Sequence, residues 1–366
     1  MNVFRLSRNG IRLIVALIVS IMALVAVTSP ASAHVRWFVE SDRFPPQWDR
    51  FISWPTLMVV GLTVTLLGAL IVGQRVLGQH FPNPGFLAYM EPSAMALLAV
   101  HTGISLVYVA SQGNLFDASH SISNQFLATV FVILQLVVAF SFITGLIDRG
   151  GAALLAGTWL VAFVAFRPWE VLDLTLYGGI GVALFVLGRT IPPPAVAARL
   201  LPLEQYERQS ISALRVLAGF TIAWIAFTEK LLVPEAGEAF LAERPEFNFM
   251  RYYLGFDWWT DYRFTIAAGV VEAAAGLLLL SGVLTRVVIL TLLVPFNVTV
   301  AFLPPIELLG HLPIFGIMYV LLLYGSGAAP MAAERQLEPA LEGSNTHHWQ
   351  GDSDKGTPDA RRPAQE

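Results

Sequence analysis

The chain has 366 residues, 55% of them hydrophobic and 13% charged, with a formal net charge of -4 and a mean hydropathy of +0.64. Soluble domains carry about 25% charged residues, so this composition belongs to a chain whose solvent is lipid. The lack of cysteine excludes disulfides, thiolate zinc sites, iron–sulfur clusters and thiol redox relays, and the scatter of basic residues at segment ends gives no reason to expect nucleic acid.

The first element reads as a secretory signal. Arg5, Arg8 and Arg12 precede the apolar run LIVALIVSIMALVAV, and Ala-Ser-Ala follows. Cleavage after Ala33 makes 1–33 a signal peptide and His34 the mature N-terminus; an uncleaved anchor helix is the alternative, and in both cases residue 34 lies outside the cytoplasm. Residues 34–90 then hold the mature N-terminus and the first transmembrane helix.

Crossing ~30 Å of hydrocarbon takes about 20 residues. Apolar segments of that order occur at 52–77, 91–111, 125–147, 150–167, 170–188, 209–232, 264–283, 285–303 and 306–326, which predicts nine mature helices. Threaded from an external N-terminus, they place 112–124 and 233–263 outside, and the turns at Arg149 and Arg286 and the connector 189–208 inside. The outward loop 112–124 has no Lys or Arg, as the positive-inside rule requires, but Arg167, Arg244, Arg251 and Arg263 fall outside, so the orientation leans on the signal peptide. Residues 327–366, rich in Pro, Gly, Ser and charge, are expected to form a disordered cytoplasmic tail. The expected location is an inner membrane of bacterial type.

An internal repeat organises the rest. Without a gap, Gly145 aligns with Gly282, Arg149 with Arg286, Pro168 with Pro305, Glu170 with Glu307, Gly179 with Gly316 and Gly188 with Gly325, all 137 residues apart. LLAVHTG resembles VLAGFTI upstream at a shorter offset, because an extra outward loop follows the later helix. The expected fold is therefore an all-α polytopic membrane protein: a cleavable signal peptide, one extra helix, then two parallel four-helix repeats at 91–190 and 209–326.

The second unit, with RVLAGFTIAWIAFTEKLLVP, then VVEAAAGLLLLSGVLTR, then PPIELLGHLPIFG, resembles the DoxX family of four-helix membrane proteins. The resemblance covers about 210–326 and rests on Arg215 near the start of the first helix, the Glu229–Lys230 pair at its end, Glu272 inside the second, and a Gly-x-x-Thr-Arg turn. The first unit departs from it, with Ala96, Ser111 and Gln135 at the places of Arg215, Lys230 and Glu272. The resemblance implies the fold and, for some members, a quinone-reducing membrane subunit of sulfur-compound oxidation working with a redox partner protein. Under that reading Glu272, Glu229 and Lys230 handle protons or polar contacts, and Arg215 with Trp258 and Trp259 belongs to the cofactor site. His311 is a further polar contact.

Ionisable residues inside a span cost about 2.5–3.5 kcal/mol each on insertion scales, so each asks for a partner or a job. Glu272 is by default a functional residue, as a proton carrier or a partner of Lys230 or Arg215. Glu307 and His311, spaced i and i+4, share one helix face and suit either half a metal site or a satisfied pair. Glu170 and Asp173 take equivalent places in the first unit, where the helix dipole favours carboxylates. The outward segment 233–263 is dense in aromatics that either form an interfacial belt or accept a flat ring. A mature N-terminal His34 offers an amine and an imidazole to one metal, and His120, His101 or His311 would complete a nitrogen site suited to copper(II). Two further readings thus stand beside the quinone protein: a copper-handling protein built on His34, and a transporter.

Overall fold

A computed structural model describes residues 44–77, 87, 89–188, 203–302 and 307–327, with the side chains of 55, 75–77, 204, 298–302 and 307 excepted. The signal region, His34, the connector 189–202 and the tail from 328 lie outside the described residues. Every regular element among the described residues is helical, and the isolated bridge between Asn114 and Ser121 is the sole β-type pairing there.

The helices in chain order are α1 (Trp48–Phe51), α2 (Trp54–Leu77), α3 (Ala94–Ser111), α4 (Gln125–Thr144), α5 (Asp148–Ala165), α6 (Pro168–Leu172), α7 (Thr175–Leu187), α8 (Glu207–Ile225), α9 (Pro234–Glu243), α10 (Phe249–Tyr252), α11 (Asp261–Ser281), α12 (Thr285–Phe302) and α13 (Glu307–Tyr324). A π-helical turn, Ala226–Leu231, continues α8. Five helical stretches are long and apolar enough to cross a membrane: Thr56–Gln74, Glu91–Ser111, Gln125–Thr144, Glu207–Leu231 and Asp261–Ser281. The chain is thus an α-helical, multi-pass membrane protein. Thr175–Leu187, Thr285–Asn297 and Leu308–Tyr324 are shorter apolar stretches among the described residues. The predicted helix 170–188 breaks at Asp173 and Leu174 into α6 and α7.

Eight helices close a ring. In sequence order α3, α4, α5, α7, α8, α11, α12 and α13 each pack on the next, and α13 returns to α3. The first helix of each set of four therefore packs on the last helix of the other: α3 on α13, and α8 on α7. α2 stands outside the ring against α11, with most of its surface exposed, as a helix solvated by lipid would be. Its one described hydrogen bond to the ring is at Gln74 Oε1, which accepts from the Leu284 backbone N–H at 2.9 Å.

Backbone geometry recurs at the 137-residue offset. Gly145 and Gly282 end α4 and α11 with φ of 74° and 75°, the left-handed C-cap that glycine adopts without a Cβ penalty. Two residues on, Ile147 and Leu284 both take positive φ, 55° and 51°. Arg149 donates to the Val186 carbonyl at 3.3 Å, and Arg286 donates to Leu322 and Leu323 carbonyls at 2.8 and 2.7 Å, so each arginine caps the last helix of its own set.

Candidate functional site

The site is assembled on α8, its π-helical turn and α11. These two helices approach closely because small residues line the seam: a Cβ on Gly276 would lie 2.6 Å from Ala223 N and Gly219 O, and one on Gly269 would lie 2.8 Å from Lys230 Cβ. Gly269, Glu272 and Gly276 share a face of α11 by their i, i+3, i+7 spacing, so the contact that admits the backbones also aims Glu272 at α8. The π turn adds one residue to the helical circuit just where Lys230 must meet that face, and such turns recur at functional sites.

Lys230 Nζ donates to Glu272 Oε1 across this seam in an ion pair. The sequence left Lys230 and Arg215 as alternative partners of Glu272, and the structure selects Lys230. Glu272 lies eleven residues into the 21-residue α11, about 16 Å along it, which is close to the middle of a span. The side chains of Lys230 and Glu272 remain 20% and 32% exposed, so the pair is reachable rather than sealed. Glu229, on the same π turn, is buried.

Around this pair, α9 and the segment before α2 pack against α11 and the π turn. α9 packs on α11 with Gly237 against Thr265, where an added Cβ would come within 2.4 Å of the threonine side chain. The segment before α2 docks there as well: Gln47 N donates to Leu232 O at 2.7 Å, and Trp48 and Phe51 set their rings edge-on to Phe227. Arg50 reaches Glu235 and Glu238 of α9 at 3.8 and 4.0 Å and lies over the Tyr262 ring. Burial, opposed by Arg50 and reinforced by Glu235 and Asp261, raises the Glu238 carboxyl above its ordinary range. None of these N-terminal contacts was foreseen from the sequence.

Arg215, placed by the resemblance in the cofactor site, is engaged with backbone carbonyls. Its guanidinium donates to the carbonyls of Leu279, Leu280 (2.9 Å) and Ser326 (3.2 Å), capping α11 and tying down the end of α13. It stands fifteen residues before Lys230 on α8, roughly 20 Å along the helix, and all its described bonds are structural. Trp258 and Trp259 lie just before α11 with rings perpendicular at 5.4 Å, Trp258 stacked on Phe256. No described contact joins these tryptophans to the Lys230–Glu272 pair.

At the equivalent place in the first set of helices, Gln135 is a brace. Its Oε1 accepts from Phe116 N at 2.7 Å and its Nε2 donates to Asn114 O at 2.9 Å, with 1% of the residue exposed. The amide thus satisfies the backbone of the loop between α3 and α4.

The histidines are dispersed into separate settings. His120 is buried between Asp117 and α6: Nδ1 pairs with Asp117 Oδ1 at 2.6 Å and Nε2 donates to Glu170 O at 2.9 Å. Burial pulls this imidazole down, but the Asp117 charge and hydrogen bond, the Asp173 charge and the Glu170 carbonyl outweigh it and raise it to about 9. Both ring nitrogens are engaged, so His120 clamps its loop to α6, where the sequence offered it as a metal ligand. Asp117, three residues before it, was missed; the Asp-x-x-His spacing in a turn was its only signal. The Glu170 side chain accepts from Arg167 N at 3.3 Å, as expected of a carboxylate at a helix start. His101 turns one nitrogen to the Leu312 carbonyl of α13, and its Nδ1 is buried without a described hydrogen-bond partner. His311 sits edge-on to Phe296 at 5.7 Å. Among the described residues no three His, Asp or Glu side chains converge as a metal set would, while His34 and the Glu307 side chain lie outside those residues.

Comparison with family models, with curated proteins and with solved structures returned no match.

Proposed function

We propose that the chain is a DoxX-like inner-membrane protein made of two four-helix units of common orientation, in which the second unit binds a quinone or similar hydrophobic redox partner as the membrane subunit of an oxidoreductase. One observation carries this reading: equivalent positions are used differently in the two sets of helices. Gln135 is spent on the backbone of its own unit, whereas Glu272 is held at mid-span in a partly exposed pair with Lys230. Holding two charges at mid-span costs desolvation that their mutual attraction repays only with good geometry and further hydrogen bonds, so such a pair is by default a functional feature.

The residues suit a ring bearing carbonyl oxygens. Lys230 donates to a ring oxygen, Glu272 holds or releases the proton exchanged there, and the buried Glu229 beside them keeps the local charge balanced when Glu272 is protonated. Reduction of a quinone to the quinol consumes two electrons and two protons; the electrons come from a partner protein, and the outer side supplies the protons.

The test is saturable binding of a short-chain quinone to the full chain in nanodiscs, followed by quenching of tryptophan fluorescence. The wild-type chain is expected to saturate, and Lys230→Met/Glu272→Gln, which removes both charges together, to weaken binding more than tenfold while melting as one cooperative unit. Linear, unsaturable quenching in the wild type, or equal affinity in the double variant, overturns the reading.

A further inference from the structure

Between α9 and α11 the chain displays six large side chains with little to cover them. Phe249, Tyr252, Tyr253, Leu254, Phe256 and Trp258 are between 39% and 60% exposed, over ten residues. Single exposed apolar residues are ordinary, but a contiguous group of this kind marks a surface that meets something other than water.

The segment is held rigidly in that posture. Asn248 is buried and donates from Nδ2 to Trp259 O at 3.1 Å and to Asp261 Oδ1 at 2.8 Å. Arg251 pairs with Asp261 at 3.1 Å, and Arg263 donates to Trp258 O. The polar groups around the segment therefore bond one another, through a buried Asn248 and two surface arginines, and leave the rings exposed.

Position identifies the occupant. α11 begins at Asp261 and has 21 residues, about 31 Å of helix, which matches the ~30 Å hydrocarbon layer. Its start, and the rings that precede it within a dozen residues, thus stand at the height of the lipid headgroups. Farther along the same helix Val271 and Leu277 are exposed as well, as residues facing lipid are. The patch's chemistry of Tyr, Trp and Phe beside arginine is that of side chains which straddle an interface, apolar body in acyl chains and polar tip in water. We infer that residues 249–258 form an interfacial anchor that lies on the outer leaflet, with its six exposed side chains immersed in lipid. This is independent of what the Lys230–Glu272 pair binds.

The cysteine-free chain allows a clean test. Single cysteines at Tyr253→Cys and Leu254→Cys, both at exposed positions, are spin-labelled in nanodiscs, with the exposed Glu243→Cys at the end of α9 as the reference. Collision with oxygen, which concentrates in lipid, is compared with collision with a water-soluble nickel chelate. The anchor predicts an oxygen-to-nickel ratio several-fold higher at 253 and 254 than at 243. Ratios at 253 and 254 equal to or below that at 243 place the patch in water and overturn the inference, making the surface a docking face for protein instead.

Discussion

The seam between α8 and α11 makes its sharpest prediction in a double-mutant cycle. Glu272→Gln removes the carboxylate with which the Lys230 ammonium pairs at mid-span. Breaking a fully buried pair from one side costs about 3–5 kcal/mol. An unpaired lysine at a span centre costs about 2.5–3.5 kcal/mol on insertion scales. Because the two side chains keep 20% and 32% of their exposure, part of that cost is already relieved, and about 2 kcal/mol is expected for each single variant. Lys230→Met/Glu272→Gln removes both charges and is expected to cost about 1 kcal/mol, since an apolar replacement of a buried pair is often near neutral. The three values imply a coupling of about 3 kcal/mol, well above the few tenths found between independent sites. Equilibrium unfolding of the full chain in mixed micelles of increasing sodium dodecyl sulfate, read by circular dichroism, gives all four corners of the cycle. Costs that simply add, within about 0.5 kcal/mol, would refute the claim that these two charges depend on each other.

Three further outcomes follow from single positions. Gly276→Ala, whose Cβ would press on Ala223 N and Gly219 O at 2.6 Å, is expected to lower the melting temperature by several degrees, while Gly157→Ala, with nothing within 4 Å, leaves it unchanged or slightly higher. The His120 clamp has a folded-state pKa raised from 6.5 to about 9, so its stabilisation of roughly 3 kcal/mol is fully present below pH 6.5 and is lost as pH rises through about 9; Asp117→Asn should flatten the melting temperature against pH between 7 and 10. Ile147 takes φ 55° at 82% exposure, a conformation that costs a β-branched residue about 1 kcal/mol or more, so Ile147→Gly is expected to stabilise the chain by up to about 1 kcal/mol in the same unfolding assay.

Much of the helical framework was legible because lipid imposes one demand on every span, an unbroken apolar run, and the runs at 91–111 and 125–147 reappear as helices within a few residues. The turn residues were legible for a similar reason: Gly145 and Gly282 stand where a left-handed cap leaves no room for a Cβ. What escaped was set by contact between distant parts of the chain. His120 finds its acceptor fifty residues later, on a helix of five residues that the apolar pattern had merged with α7. The docking of Gln47 on Leu232 joins residues whose proximity no periodicity encodes. The capping by Arg215 escaped differently, since an arginine near a helix start reads equally as a ligand for anions and as a ligand for carbonyls. Only the position of the α11 C-terminus decides between them.

Under the proposed two-unit reading, the two sets of helices can differ at one position and keep one framework. The elements that fix the ring are backbone features: glycine caps, arginines closing the last helix of each set, and small residues at the α8–α11 crossing. None of these needs a particular residue at 135 or 272. Gln135 has both amide atoms bonded within its own loop, so it cannot exchange a proton with anything that approaches. Glu272 bonds to a single flexible lysine whose ammonium has two further donors, and that pair can open toward a ligand without unravelling a backbone turn. Substituting Gln135→Glu therefore places a carboxylate where the Phe116 N–H is satisfied but the Asn114 carbonyl loses its donor, and the expected result is a loss of stability with no gain in ligand binding. Quinone binding created by Gln135→Glu alone would show that the asymmetry between the two positions lies in their side chains and not in the surroundings that hold them.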